Sequence, residues 1–198
     1  GLPTAAELAE RGHRVTLVDR YGPMNALSSS HGPTRIWRLA DPDPGKAAMT
    51  RQSVAAMERL SSIAGEAVFL RRGIVWRDRD DGPHGLDAFT QTLAAEGIAF
   101  ERLDAARVGE RFPGLVPDDR GALWSPDAGP VLADVSLRAQ LRRFHRAGGT
   151  LRLGEVIGIP SDATSSGARR GHLADGESLA ADGVVVAAGP GSSPRVCL

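Results

Sequence analysis

The first twenty residues contain two hydrophobic patterns in succession. Over residues 4–11, apolar side chains fall on one helical stripe and charged side chains lie opposite, which predicts a helix. Gly12 follows, as is typical at the C-terminus of a helix. The short apolar run Val15 to Val18 then predicts a strand that ends at Asp19. This order of helix, turn, strand and acidic residue is typical of the second half of a dinucleotide-binding βαβ unit.

The spacing within this segment supports that interpretation, although only half of the motif is visible. Asp19 lies 18 positions after Gly1, and the acidic residue of such units lies about 20 positions after the glycine motif. No strand or earlier glycine of a G-x-G-x-x-G sequence precedes Gly1. We therefore expect the chain to be a piece of a longer sequence. An α/β hairpin that binds no nucleotide stays open as the alternative.

Periodicity predicts further elements along the chain. Helices are predicted at 46–64, at 86–96, within 104–117 and at 134–147. Strands are predicted at 69–77, 99–103, 151–159 and 172–179, and a loop or strand pair at 124–131. Residues 78–85 and 161–171 read as turns. In the helix at 134–147 we expect one solvated arginine face, formed by Arg138, Arg142, Arg143 and Arg146.

A continuous apolar run, Val184 to Ala188, is followed by Gly189 and Pro190. Such a run predicts a strand in a sheet that is covered on both faces. The glycine lets the backbone turn and approach a ligand at the carboxyl end of the strand. A core strand followed by an ordinary turn explains the same pattern.

Composition narrows the possible functions. The 198 residues include 24 basic and 24 acidic side chains, which disfavours binding to nucleic acid or to an anionic membrane surface. No apolar run approaches the roughly 20 residues of a membrane-spanning helix. The single cysteine, Cys197, excludes an internal disulfide and a cysteine-based zinc site. We expect a cytoplasmic protein that holds no metal, and the sequence does not determine its oligomeric state.

Two arginines in a loop rich in serine and glycine are candidate anion ligands. Arg35 and Arg38 are three residues apart. If Thr34 to Leu39 formed a helix or turn, both guanidinium groups would lie on about the same side. Such a pair could bind a phosphate, a negatively charged flavin ring or a substrate carboxylate. A solvated basic turn is the alternative.

Taken together, three segments resemble the flavin-dependent amine and amino-acid oxidases of the D-amino-acid oxidase superfamily. They are GLPTAAELAERGHRVTLVDR, SSSHGPTRIWRLA and DGVVVAAGP. The resemblance is strongest to the branch of monomeric sarcosine oxidase and N-methyltryptophan oxidase. ERFPGL and DAGPVLADVSLRAQLRRFHRAGGTL match the intervening blocks in order, so the resemblance covers nearly the whole chain.

The resemblance implies a fold and a domain arrangement. The fold class is α/β, with an incomplete FAD-binding Rossmann-like domain of the glutathione-reductase type and part of an inserted antiparallel α+β substrate domain. Residues 1–77 and 130–198 would belong to the FAD-binding domain. Residues 78–129 would begin the substrate domain. The chain would stop well before the end of the family's sequence.

The resemblance also implies a cofactor site and a reaction centre. The residues expected to bind FAD are Gly1, Asp19, Arg20, Ser29, Thr34, Arg35, Val156, Ala188 and Gly189. Arg35 is expected beside the flavin ring, Arg38 at the substrate carboxylate and His31 near the flavin. A histidine that only packs in the loop explains His31 equally well.

The implied reaction is the oxidative demethylation or deamination of an N-methyl or secondary amino acid. Dioxygen would be the second substrate and hydrogen peroxide a product. The lysines and the flavin-tethering cysteine of the family have no counterpart here, because Lys46 is the only lysine and Cys197 lies elsewhere. A catalytically inactive fragment of a flavin domain is therefore the alternative function. A nicotinamide-dependent dehydrogenase is a further, less favoured one.

Overall fold

The computed structural model describes residues 1–78, 85–160 and 168–189. Its helices are α1 (Leu2–Glu10), α2 (Pro44–Ala64), α3 (Leu86–Ala95), α4 (Ala105–Arg111) and α5 (Ala133–Arg146). Its strands are β1 (Thr16–Asp19), β2 (Thr34–Trp37), β3 (Ile74–Asp78), β4 (Glu101–Leu103), β5 (Gly121–Ser125), β6 (Gly129–Leu132), β7 (Thr150–Leu153), β8 (Val156–Gly158), β9 (Arg169–Leu173) and β10 (Ser178–Ala181). The predicted helices are all present. Pro190, Cys197 and most of the two predicted turns lie outside the described residues.

The chain divides by its contacts into two compact units. The first unit combines Gly1–Gly32 with Leu137–Leu198, and the second is Pro33–Ser136. The first is thus assembled from two separated stretches of sequence, whereas the second is continuous. The predicted assignment of 1–77 with 130–198 to cofactor binding, and of 78–129 to a substrate domain, stays a prediction.

The first unit is built on the parallel pair β1 and β7, which run in register from Thr16 opposite Thr150 to Asp19 opposite Leu153. Phe144 of α5 is fully buried against α1. The buried side of α1 consists mainly of alanines, which let the neighbouring elements approach closely: Leu2, Ala5, Ala6 and Ala9. Gly149 completes the fit, because a Cβ atom there would lie 2.1 Å from the Phe144 ring. This helix-and-strand arrangement is the one predicted from residues 1–20.

Arg143 of α5 is buried, which corrects the prediction that it belongs to a solvated face. Its Nε donates to Glu10 Oε1 at 2.8 Å, its Nη2 donates to Glu7 Oε2 at 3.1 Å, and its Nη1 donates to Gln140 Oε1 at 2.7 Å. Only 7% of its side chain is exposed. A guanidinium leaves water at low cost when carboxylates accept most of its N–H groups. Arg143 therefore joins α5 to α1 as part of the structure of the unit.

The remaining strands of the first unit form an antiparallel sheet in the order β10-β9-β8. The predicted strand at 151–159 is two strands, β7 and β8, separated at Gly154. The predicted strand at 172–179 is a hairpin instead, since the chain turns at Gly176, where φ is +88°. Glycine adopts such a left-handed conformation without steric cost.

The predicted strand from Val184 to Ala188 is not formed among the described residues. These five residues carry no strand assignment, and Val185 is 64% exposed. A strand needs a partner for its backbone N–H and C=O groups. β1 pairs with β7 alone in the described sheet, and no described strand pairs with this segment. The apolar pattern was recognised correctly, but the backbone pairing that it implies is absent here.

The second unit contains the antiparallel sheet β3-β5-β4, with α3 and α4 on opposite faces. Trp76 and Leu123 are cross-strand partners on the face of Phe89 in α3. Val75 and Trp124 are partners on the other face, where they pack with Val108 of α4. The alternation of side chains along each strand explains how one sheet supports both helices.

Gly73 sets the entry of the chain into β3. Its φ is +78°, and a Cβ atom there would lie 1.8 Å from the Trp124 ring. Any other residue would therefore meet both backbone strain and a steric clash. The predicted strand at 69–77 is accordingly shorter, and begins only after this glycine. Phe69 makes a separate antiparallel bridge to Val131.

The stretch from Thr34 is a strand, so the condition under which Arg35 and Arg38 would lie on the same side of a helix or turn is not met. β2 pairs antiparallel with β6, from Thr34 opposite Leu132 to Trp37 opposite Gly129. In a strand, residues two apart share a face, whereas residues three apart do not. Arg35 and Arg38 therefore do not form a same-side pair along β2.

Candidate functional site

The start of α1 lies beside Ala187, the residue before the predicted cofactor contact Ala188. A Cβ atom on Gly1 would lie 3.6 Å from Ala187 Cβ and 3.9 Å from Ala187 O. Among the described residues, no side chain caps α1 at this end. The first N–H groups of a helix, together with its dipole, favour a phosphate. Gly189 has a φ of +58°, which allows the sharp turn predicted after Ala188.

Asp19 lies at the carboxyl end of β1, where it organises a turn. Its Oδ1 accepts hydrogen bonds from the backbone N–H groups of Tyr21 at 3.0 Å and Gly22 at 2.9 Å. This arrangement holds the carboxylate in a fixed orientation. No described contact involves its Oδ2, so that oxygen can accept a hydrogen bond from a ribose hydroxyl.

Two further predicted contacts, Arg20 and Val156, lie in the segments that follow β1 and β7. Arg20 forms an ion pair with Glu155 at 3.2 Å and lies over the Tyr21 ring at 5.0 Å. Val156 begins β8 and pairs with Leu173. Carboxyl ends of parallel strands meet at one edge of a sheet. Asp19 and Arg20 therefore lie at the carboxyl end of β1, and the Arg20–Glu155 ion pair links them to the residue before Val156.

The predicted residues of the serine-rich loop are exposed. Ser29 and His31 lie on the surface of the first unit. His31 Nδ1 is 3.3 Å from the backbone oxygen of Met24, which has a positive φ of 68°. The His31 ring thus contributes to the loop conformation. This contact fits the loop-packing alternative and leaves a role near the flavin as a prediction.

In the second unit, Thr34 and Arg35 lie on β2 and are both exposed. The Arg35 side chain bends back along the strand, and its Nη1 donates to the Thr34 backbone oxygen at 2.6 Å. Arg35 is therefore held at the surface of β2, on the side opposite to Ile36.

Arg38, just after β2, is held by two neighbours. Its guanidinium carbon lies 5.3 Å from the centre of the Trp76 ring, and its Nη2 is 3.5 Å from Asp41 Oδ2. The Arg38 side chain is 48% exposed, whereas that of Asp41 is 11% exposed. Asp41 is itself fixed, because its Oδ1 accepts from Asp43 N at 3.0 Å and its backbone oxygen accepts from Thr92 Oγ1 at 2.6 Å. The guanidinium is oriented but retains open donors.

An open cleft of about 440 Å³ borders Arg38. Its other lining residues are apolar: Ile36, Ile74, Val75 and Trp76. Ile36 of β2 and Arg38, which follows the strand, line the same cleft. A cation at the edge of an apolar cleft is suited to an organic anion, because the charge fixes one end of the ligand and the walls contact the rest.

Sequence reasoning identified Arg38 but missed the residues that orient it. Trp76 is 38 positions away, on β3, and no local periodicity indicates that its ring stacks on Arg38. Asp41 could have been noticed as an acidic residue three positions after Arg38. Within the described residues, no group of three or more acidic, histidine or cysteine side chains is arranged to hold a metal ion. None of the described helices is long and apolar enough to cross a membrane.

Comparison with known proteins identifies relatives. The chain is 31% identical over 159 residues to monomeric sarcosine oxidase of Streptomyces avermitilis, covering 79% of this chain and 41% of that protein. It is 29% identical over 159 residues to peroxisomal sarcosine oxidase of Mus musculus, covering 79% of this chain and 40% of that protein. The chain therefore spans about two fifths of the length of these curated relatives.

Solved structures match a larger share of the chain. NikD, an unusual amino acid oxidase essential for nikkomycin biosynthesis, superposes in its open form with a TM-score of 0.78 and 26% identity. The match covers 96% of this chain and 49% of that one. Glycine oxidase from Geobacillus kaustophilus, at 22% identity and a TM-score of 0.68, shows the same fold over 92% of this chain. The predicted α/β fold class is thereby confirmed.

The family comparison extends over almost the entire sequence. Residues 1–197 match the family described as FAD dependent oxidoreductase, DAO. The predicted FAD cofactor and the resemblance to amine and amino-acid oxidases are confirmed at the level of this family. The roles of the individual site residues stay predictions. The chain belongs to the DAO family of FAD-dependent oxidoreductases.

Proposed function

We propose that the protein oxidises N-methyl or secondary amino acids with dioxygen, releasing hydrogen peroxide, as the resemblance to sarcosine oxidase implies. The observation that carries this proposal is the half-exposed Arg38 guanidinium, oriented by Trp76 and Asp41 at the edge of an apolar cleft. An amino acid presents a carboxylate next to the carbon–nitrogen bond that is oxidised. A fixed guanidinium can hold that carboxylate and so position the reacting bond.

The geometry of the first unit supports an FAD site there. The start of α1 beside Ala187 suits the pyrophosphate. Asp19 offers Oδ2 to the ribose, and Arg20 pairs with Glu155, the residue before Val156. When bound, FAD supplies the two-electron acceptor for oxidation of the carbon–nitrogen bond. The remaining predicted cofactor contacts of this unit are Ser29, Ala188 and Gly189.

Arg38 is tested by comparing two substrate classes. In the FAD-loaded protein, Arg38→Ala should raise KM for an N-methyl amino acid about 10- to 100-fold, because the carboxylate loses a charge-assisted contact. KM for an uncharged secondary amine should change far less. Arg59→Ala, which removes an exposed arginine of α2, is the matched control. Equal effects of Arg38→Ala on both substrates would remove the basis for a carboxylate contact.

The alternative function is a flavin-domain fragment that does not catalyse. Val184, Val185 and Val186 are exposed, and no described strand pairs with them. They favour this alternative because the strand predicted to lead to the cofactor contacts Ala188 and Gly189 is not formed among the described residues. The visible absorption spectrum of the purified chain separates the possibilities. A bound flavin spectrum with peroxide production supports the oxidase. A flavin spectrum without turnover supports the fragment, and a chain that stays colourless with added FAD contradicts cofactor binding.

A further inference from the structure

We propose that the cleft beside Arg38 selects carboxylates that carry a bulky apolar group, and that Trp76 is a specificity-determining residue for them. This inference rests on the proposed function and specifies its substrate class. The cleft joins one cation to four apolar residues within the second unit: Ile36, Ile74, Val75 and Trp76.

The charged end of the cleft is suited to one more carboxylate. Arg38 has contacts with the Trp76 ring and, at 3.5 Å, with a single Asp41 oxygen. A guanidinium has five N–H donors in a planar fork. With 48% of the side chain exposed, donors remain for a ligand oxygen. Because Asp41 already partly offsets the charge of Arg38, a carboxylate alone binds more weakly than a carboxylate whose apolar group also contacts the walls.

The walls of the cleft supply the additional binding energy. Ile36 is 80% exposed, so an apolar ligand group can cover a large part of it. Trp76 Nε1 is buried and has no hydrogen-bond partner among the described residues. The part of the indole that can border the cleft is therefore carbon. Such a wall stabilises a bound apolar group through apolar contact, and it offers no hydrogen bond to a polar group.

The Trp76 ring is also held in place before a ligand arrives. Phe89 of α3, which is 2% exposed, packs against it with ring centres 5.2 Å apart. The Trp76 ring also packs against the Arg38 guanidinium, whose carbon is 5.3 Å from the ring centre. A ring supported by neighbours loses little freedom when a ligand binds. Trp76 thus links the cation and the apolar wall, and the volume of about 440 Å³ leaves space for more than a carboxylate alone.

The test uses the full chain loaded with FAD and three non-reacting probes. Phenylacetate carries both a carboxylate and an apolar ring, acetate lacks the ring, and phenylacetamide lacks the charge. Binding is measured by calorimetry and by the shift of the Trp76 indole N–H resonance, which is assigned with Trp76→Phe. We expect phenylacetate to bind about 10-fold tighter than acetate or phenylacetamide.

Variants of the wall and of the cation separate the two contributions. Ile36→Ala should weaken phenylacetate binding about 3-fold and leave acetate unchanged, since only apolar contact is lost. Ile36 is so exposed that the substitution does not threaten folding. The matched control is Val116→Ala, because Val116 is an apolar residue of the same unit that is 81% exposed and does not line the cleft. Trp76→Leu should act as Ile36→Ala does, but more strongly, and Arg38→Gln should weaken both carboxylates.

Two results would overturn the inference. One is equal affinity for phenylacetate and acetate. The other is an Ile36→Ala protein that binds phenylacetate as tightly as the Val116→Ala protein. Failure of the proposed function looks different, since phenylacetate would then bind selectively while N-methyl amino acids yield no peroxide. Should Trp76→Leu fail to fold, the Ile36→Ala comparison still decides the question.

Discussion

Arg143 in the first unit and Arg38 in the second carry the same guanidinium group in opposite settings. Arg143 is 7% exposed and donates to two glutamates and a glutamine. Arg38 is 48% exposed and meets an aromatic face and one carboxylate oxygen. The hydrogen bonds of Arg143 make it a structural residue. The open donors of Arg38 agree with its proposed contact with a ligand. Exposure and donor occupancy therefore separate the two roles better than residue type does.

The largest expected effect is on the stability of the first unit. Arg143→Met should lower the free energy of unfolding by about 2–3 kcal/mol, because Glu7 and Glu10 lose the cation that joins α5 to α1. Urea denaturation of the purified chain measures this change in the free energy of unfolding. Arg138→Met, at an exposed arginine of the same helix, should change stability by less than about 0.5 kcal/mol. A similar loss in both variants would contradict the distinction drawn between them.

A smaller effect appears in the pH dependence of stability. Hydrogen bonds from Arg11 and then Arg143 hold the pKa of Glu7 below its ordinary value of 4.5. A carboxyl whose pKa is lower in the folded state stabilises the fold above its unfolded pKa, and that contribution disappears as pH falls through the folded-state pKa. Stability should therefore decline as the pH falls from about 5 towards 3.

The decline should be shallower in the Arg143→Met variant, because one of the two hydrogen bonds that lower the Glu7 pKa is then missing. Urea denaturation at several pH values measures the slope. The Arg138→Met variant serves again as control and should follow the unsubstituted chain. An identical acid slope in all three proteins would show that Arg143 and Glu7 are not coupled.

The smallest stability effect is expected at Arg38. Arg38→Met should change the free energy of unfolding by less than about 1 kcal/mol, since a half-exposed ion pair and cation–π contact contribute little. The same variant should nevertheless lose carboxylate binding in calorimetry. A loss of stability as large as that of Arg143→Met would show that Arg38 has a structural role, and it would contradict the distinction between the two arginines.

Local pattern predicted the elements whose partners are near in sequence. The helix α1, Gly12 and the strand ending at Asp19 follow from spacing within twenty residues. The structure adds that Asp19 Oδ1 organises the following turn, which is a short-range contact as well. The helix and strand that carry the predicted cofactor contacts Gly1 and Asp19 were therefore predictable from a short stretch of sequence.

Long-range contacts explain what the pattern missed. The sequence pattern predicts Arg143 as one of four surface arginines. Its partners, Glu7 and Glu10, lie more than 130 positions earlier, so no local pattern indicates them. The run from Val184 to Ala188 predicts a strand, yet hydrophobicity does not specify a pairing partner. At β2, the strand is formed by pairing with β6, almost one hundred positions later, which the local sequence around Thr34 does not reveal.

The discontinuous first unit has a consequence for the order of folding. β1 pairs with β7, so Thr16 must meet Thr150 across the whole of the second unit's sequence. During synthesis, residues 33–136 emerge as one continuous stretch before β7 exists. Closing so long a loop is costly in entropy, and contacts far apart in sequence form late. During synthesis, all residues of the cleft beside Arg38 are therefore available to fold before the parallel pair of β1 and β7, which carries Asp19, can form.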